Sequence, residues 1–205
     1  RFIKTHAPLD GIPLDRRATY IVVARHPLDM AVSLFHQGAN LDRERLAELT
    51  GSPAPATAPE RPPVAESLKK WIDRDATPAG EMDSLPGVMW HLSDAWRRRY
   101  EPNVLLVHYA DLSADLAGEM TRIAGRLHLD PPGADLVEAA GFRRMRARAE
   151  ELAPDPAGIL KSTAAFFRQG GSGAGRELLT DPEFAHYLRR AATMAPPDLL
   201  EWLHR

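Results

Sequence analysis

The stretch VVARHPLDMAVSLFHQ, Val22 to Gln37, changes its periodicity halfway. From Tyr20 to Ala24 the run is apolar and β-branched, without the alternation of a half-exposed strand. That pattern belongs to a parallel strand covered on both faces. Pro27 then stands where a helix can begin, because a missing N–H costs nothing in the first turn. Helical spacing follows and predicts a helix to about His36. Arg25 closes the strand, and Ser33 comes eight residues later.

An arginine at a strand end, followed at once by a helix N-terminus, is built for an anion. The free backbone N–H groups and the helix dipole favour negative charge, and the guanidinium offers a two-pronged fork. Ser33 lies on the helix face of Asp29, four residues back, and adds a hydroxyl donor. Arg25 and Ser33 are thereby placed to hold a phosphate. The spacing equally permits a plainer outcome, in which Arg25 pairs with a carboxylate.

Working outward, Arg1 to Thr5 reads as a short strand, and NVLLVHY reads as a buried strand ending at Tyr109. Helices are expected over VAESLKKWI, GVMWHLSDAWRRRY, GADLVEAAGF with Gly141 as its C-cap, and DPEFAHYLRRAATM. Another, capped by Ser113, carries the apolar stripe Leu116, Met120, Ile123 and Leu127. Strands alternating with helices define an α/β fold, a parallel β-sheet flanked by helices. Ligands of such sheets bind beyond the carboxyl ends of the strands. Lys4, Thr5 and His6, then Arg25, then His108 and Tyr109 all fall at that edge. RQGGSGAGR, with Arg168 and Arg176 around four glycines, is a loop whose N–H groups can approach a phosphate.

The 205 residues fit one domain, 1–205, with a proline- and alanine-rich loop at 50–65. The net charge of −2 provides no basic field for nucleic acid. There is no cysteine, which excludes thiol catalysis, disulfides and cysteine-bound zinc. No apolar stretch approaches the roughly 20 residues of a transmembrane helix. No signal peptide opens the sequence, so a cytoplasmic location is the expectation. The chain starts in what reads as the middle of a strand, so further sequence is expected upstream of Arg1.

RFIKTHAPLDGIP, YIVVARHPLDMAVSLFHQ, VLLVHYADL, GFRRM and FFRQGGSGAG, taken in order, resemble the cytosolic-type sulfotransferase family. Its corresponding segments read KTHLP, VRNPKDVAVSYYH, YED, TSFKEM and RKGxxGDWK. The likeness runs from Arg1 to about Thr180. It is most specific in the second segment, where arginine, proline, aspartate and serine all match. The resemblance implies a P-loop-NTPase-like sulfotransferase fold and use of 3′-phosphoadenylyl sulfate (PAPS) as donor, with no metal. It further implies that Arg25, Ser33, Arg168, Gln169 and Gly170 bind the 3′-phosphate. Tyr109 and Phe142 would hold the adenine, His6 would be the catalytic base, and Lys4 would stand beside the sulfuryl group. Gln169 departs from the family's lysine, Ala140 from its threonine, and Ala174 and Gly175 from its aspartate and tryptophan. The family's 5′-phosphosulfate loop, PKSGTTW, is not among these residues and is expected upstream.

These residues match the needs of sulfuryl transfer to an alcohol, a step that wants a base for the hydroxyl proton and cations for the developing charge. The other seven histidines carry no ligand pattern and are assigned no role. Two alternatives remain in view. One is a non-catalytic module that binds adenosine 3′,5′-bisphosphate (PAP). The other is a histidine phosphatase with His26 as nucleophile, since ARHP is similar to that family's RHG. The acceptor would be a small-molecule or lipid alcohol, with Leu68, Trp71, Met89 and Trp90 as candidate pocket residues. Core packing suits each of the four equally well. The oligomeric state is not legible in the sequence.

Overall fold

The computed structural model describes residues 2–53 and 61–205. Residues 54–60 of the proline- and alanine-rich stretch lie outside them. Strands β1 (Tyr20–Ala24) and β2 (Val104–His108) are the only two among the described residues. They pair in parallel, Tyr20 opposite Val104 and Ala24 opposite His108. Between them run α1 (Pro27–Asn40), α2 (Arg43–Thr50), α3 (Val64–Asp73) and α4 (Leu85–Arg97). After β2 come α5 (Tyr109–Ala114), α6 (Leu116–Arg126), α7 (Ala134–Ala140), α8 (Phe142–Ala147) and α9 (Ala149–Leu152). The chain ends through α10 (Thr163–Phe166), α11 (Ala174–Glu177), α12 (Asp181–Ala192) and α13 (Pro197–Leu203). The parallel sheet with helices is the α/β class expected.

The core gathers Leu28 of α1, Leu85 and Met89 of α4, Tyr187 of α12, and Leu199 and Leu203 of α13, all fully buried. Each such side chain contributes roughly 1.5–3 kcal/mol by leaving water. Met89, a candidate pocket residue, is therefore core. The two strands differ. β2 is covered on both faces, as its pattern predicts. β1 buries Val22 and Ala24, but leaves Ile21 40% and Val23 60% exposed. The two-face cover expected for β1 is thus corrected to one face among the described residues.

The strand expected over Arg1–Thr5 does not form over its described residues, 2–5. Residues 2–6 are irregular and exposed, with Phe2 93% and Ile3 80% accessible. A strand exists only through its ladder, and this segment meets no partner strand among the described residues. Ser113 also departs from expectation. Its hydroxyl donates to Tyr109 O inside α5, and α6 is capped instead by Asp115, which accepts from Gly118 N at 2.8 Å. Gly141 does follow α7 but keeps φ at −64°, so it needs no glycine-specific geometry. The outer edge of β2 is closed by side chains: Arg122 and Arg126 of α6 donate to Leu106 O (3.0 Å) and Val104 O (2.8 Å). Charge on a strand edge discourages pairing with another chain.

Candidate functional site

A histidine caps the helix that follows each strand: His26 two residues after β1, and His108 at the end of β2. His26 Nδ1 accepts from Leu28 N at 3.2 Å, and His108 Nδ1 accepts from Ala110 N at 3.1 Å. Both rings must be neutral to accept there. His26 lies between Tyr187 of α12 and His204 beyond α13, with ring centroids at 6.2 and 4.9 Å. Tyr187 Oη and His204 Nε2 are 2.8 Å apart. Burial, and then the neighbouring His204, pushes His26 down to about 4 from 6.5, despite Asp29 nearby. Burial lowers His108 and His204 as well, the Arg205 guanidinium adding to the effect on His108. His26 is a cap wedged into packed helices, which removes the reading of it as a phosphatase nucleophile.

A testable consequence concerns acid. The folded protein holds these rings neutral, whereas the unfolded chain takes up protons near its ordinary pKa of 6.5. Stability is therefore complete above that value and falls as pH drops through it toward 4. For His26 alone the loss amounts to about 3 kcal/mol. Thermal unfolding between pH 7.5 and 4.5 should show a falling Tm. His26→Asn keeps a capping acceptor without titrating and should flatten the slope. An unchanged slope would discount His26 as its source.

One residue before His26, Arg25 sits half-buried at the meeting point of three elements. Its guanidinium lies 4.5 Å from the centre of the Tyr109 ring, and its Nη2 donates to Gly171 O. Its Nε is buried and has no hydrogen-bond partner among the described residues. The plainer outcome, pairing of Arg25 with a carboxylate, occurs as an ion pair to Asp29 that lacks a hydrogen bond. Asp29 Oδ2 stands 3.9 Å from Arg25 Nε, too far for a hydrogen bond. The Asp29 carboxylate instead accepts from Gly173 N and Gly175 N, each at 2.8 Å.

The glycine loop thus lies on α1. Gly175 touches it so closely that a Cβ would come within 2.5 Å of the Leu28 backbone. Gly170, at φ +66°, sits against the face of Phe142, and a Cβ there would meet the ring at 2.5 Å. Phe142 also contacts Phe167 edge-on, centroids 6.4 Å apart. Arg168 comes close enough to His36 to lower it further, burial being the larger cause. His36 is one turn beyond Ser33 on α1. Ser33 itself is exposed, since the loop covers Asp29 but not the next turn. Gln169 is exposed as well.

Arg25, Tyr109, Phe142, Arg168, Gly170 and the Ser33 turn of α1 are therefore drawn to one edge of the sheet. Lys4 and His6 lie on the exposed segment before the short 3-10 turn Leu9–Gly11. That segment approaches α4. His91 there is half-buried, its Nδ1 lacks a partner among the described residues, and it feels the charges of Asp10 and His6. The sequence signalled no role for His91 and named Asp29 only as a neighbour of Arg25 and Ser33, because its loop partners come from a distant segment. Of the candidate pocket residues, Leu68 and Trp71 line a cavity of about 300 Å³ between α1 and α3, with Phe35 and Val64. Trp90 is half-buried on α4.

Such an edge brings a strand-end arginine, a helix N-terminus and a glycine loop together at the carboxyl end of a parallel α/β sheet. The model of the sulfotransferase domain matches residues 1–193, and the chain belongs to that family. It is 39% identical to a glycolipid sulfotransferase of Mycobacterium tuberculosis, over the whole of this chain and 69% of the relative. It is 38% identical to the glycolipid sulfotransferase of Mycobacterium bovis, with the same coverage. Among solved structures, a mouse sulfotransferase complexed with PAP superposes with a TM-score of 0.69 at 19% identity. That match covers 98% of this chain and 67% of the mouse protein. Retinol dehydratase in complex with androsterone and PAP gives 0.69 at 23% identity, covering 94% and 52%. The sulfotransferase fold and enzyme class expected from the ordered segments stand. No helix among the described residues is long and apolar enough to cross a membrane.

Proposed function

We propose that this sulfotransferase takes its sulfuryl group from PAPS and delivers it to the hydroxyl of a lipid or glycolipid acceptor. Arg25, Ser33 and the segment Arg168–Gln169–Gly170 hold the 3′-phosphate. Tyr109 and Phe142 hold the adenine. The observation that carries the reading is Arg25, a cation fixed by Gly171 and Tyr109 whose buried Nε still has a proton to donate. A polar group left so is costly unless a ligand completes it. The PAP complexes of the structural neighbours and the names of the mycobacterial relatives support donor and acceptor class respectively.

In the reaction the acceptor oxygen attacks sulfur. The new O–S bond forms as the bond from sulfur to the bridging phosphate oxygen breaks, and its electron pair leaves with the 5′-phosphate of PAP. The acceptor proton passes to the His6 imidazole, whose ring nitrogen can accept it as a general base. Lys4 steadies the sulfuryl oxygens.

The test of the donor half is calorimetry on the chain with PAP and with 5′-AMP, which lacks the 3′-phosphate. PAP should bind more tightly, and Ser33→Ala should weaken it by roughly 1.5–3 kcal/mol, the value of a hydrogen bond to a charged group. Equal affinity for the two nucleotides would overturn the assignment. PAP binding without turnover by the complete polypeptide would favour a non-catalytic binding module instead.

A further inference from the structure

The segment from Leu160 to Gly175 is tied to α1 at both of its ends. At the C-terminal end of α1, the buried Asn40 grips the Ser162 backbone twice. Its Nδ2 donates to Ser162 O at 2.8 Å, and its Oδ1 accepts from Ser162 N at 3.0 Å. Lys161 N donates to Asn40 O at 2.7 Å, and Leu41 bridges to Leu160. At the N-terminal end Asp29, 1% exposed, accepts from Gly173 N and Gly175 N. Between the two ties lie Arg168, Gln169 and Gly170.

Resting on the donor reading above, we propose that Asp29 and Asn40 are positioning residues. They use α1 as a rigid frame that presents the segment 168–171 to the 3′-phosphate. Neither side chain touches the nucleotide in this account. The case rests on what each one does with its polar atoms. Both Asp29 oxygens are engaged by loop N–H groups, although a guanidinium stands only 3.9 Å away. The carboxylate fixes the loop, and Arg25 keeps an Nε free for the ligand. A carboxylate buried this deeply is tolerated only where its bonds are complete, so the loop cannot lift off without stranding it. Gly175 is small enough for the backbones to meet, which is what lets its N–H reach Asp29. The strap is thereby set before the donor arrives, and binding does not have to order it.

The test uses Asp29→Asn, close in shape but uncharged and with one acceptor fewer, and Asn40→Ala at the opposite end. In the unliganded chain, amide exchange across 168–175 should accelerate in both variants. PAP affinity should fall by about 10- to 100-fold for Asp29→Asn, the range for a lost hydrogen bond to a charged group. For Asn40→Ala the fall should be about tenfold. Binding of 5′-AMP should hold at the wild-type value in both. In the complete polypeptide KM for PAPS should rise, while kcat at saturating donor changes little. If Asp29→Asn does not fold, Asn40→Ala carries the same comparison. Unchanged amide exchange with unchanged PAP affinity in a folded variant would overturn the proposal. A wild-type chain with no preference for PAP would instead sink the donor reading. The exchange measurement would still decide whether Asp29 and Asn40 hold the strap.

Discussion

Replacing His6 with alanine is expected to lower kcat by about 10²-fold or more while PAP affinity stays within about twofold. An alcohol is a weak nucleophile until its proton has somewhere to go, and that acceptor matters only in the transition state. Loss of the imidazole therefore acts on kcat. The groups proposed for the 3′-phosphate lie elsewhere, at Arg25, on α1 and on the segment 168–170, so the donor is expected to keep its contacts. Because His6 is exposed, its removal leaves no cavity, and Tm should barely move. His91 makes the experiment sharper, since its unpartnered Nδ1 belongs to a ring near the same segment. His91→Ala should lower Tm, because that ring is half-buried on α4. kcat and PAP affinity measured on the same folded preparation of the complete polypeptide decide the matter. Near-normal turnover by His6→Ala would remove His6 as the base, and a collapse confined to His91→Ala would transfer the role.

Arg25→Ala is expected to weaken PAP by about 10²-fold or more, since a charge-assisted fork and a positioned cation vanish together. Two contacts and one unpartnered donor go with it: the bond to Gly171 O, the approach to Tyr109, and the free Nε. Arg25→Lys should recover only part of the loss. An ammonium restores the charge, but it cannot reach the carbonyl, lie on the aromatic ring and present a further N–H in one plane. Calorimetry with PAP and 5′-AMP separates the outcomes. A loss confined to PAP locates Arg25 at the 3′-phosphate. Equal losses for both nucleotides would locate it at a group they share, and no loss would dismiss it from the site.

Local signals determined much of this protein. The apolar run Tyr20–Ala24 and the proline at the head of α1 mark a strand-to-helix switch, because both depend only on neighbours along the chain. The order of the segments from RFIKTH to FFRQGG carried the family, since it does not depend on how they pack. Tertiary structure decided the rest. Pairing makes a strand, so Phe2 to Thr5, apolar at Phe2 and Ile3, remain irregular where no ladder meets them among the described residues. Cover comes from other elements, so β1 shows Ile21 and Val23 to solvent while β2, with a similar composition, does not. Asp29 could be read in the sequence as the carboxylate nearest Arg25. Only the fold, by bringing Gly173 and Gly175 across 144 and 146 residues, turned it into the tie of a loop. A side chain's role is set by which polar group reaches it first in a buried place, and the linear spacing of residues does not contain that contest.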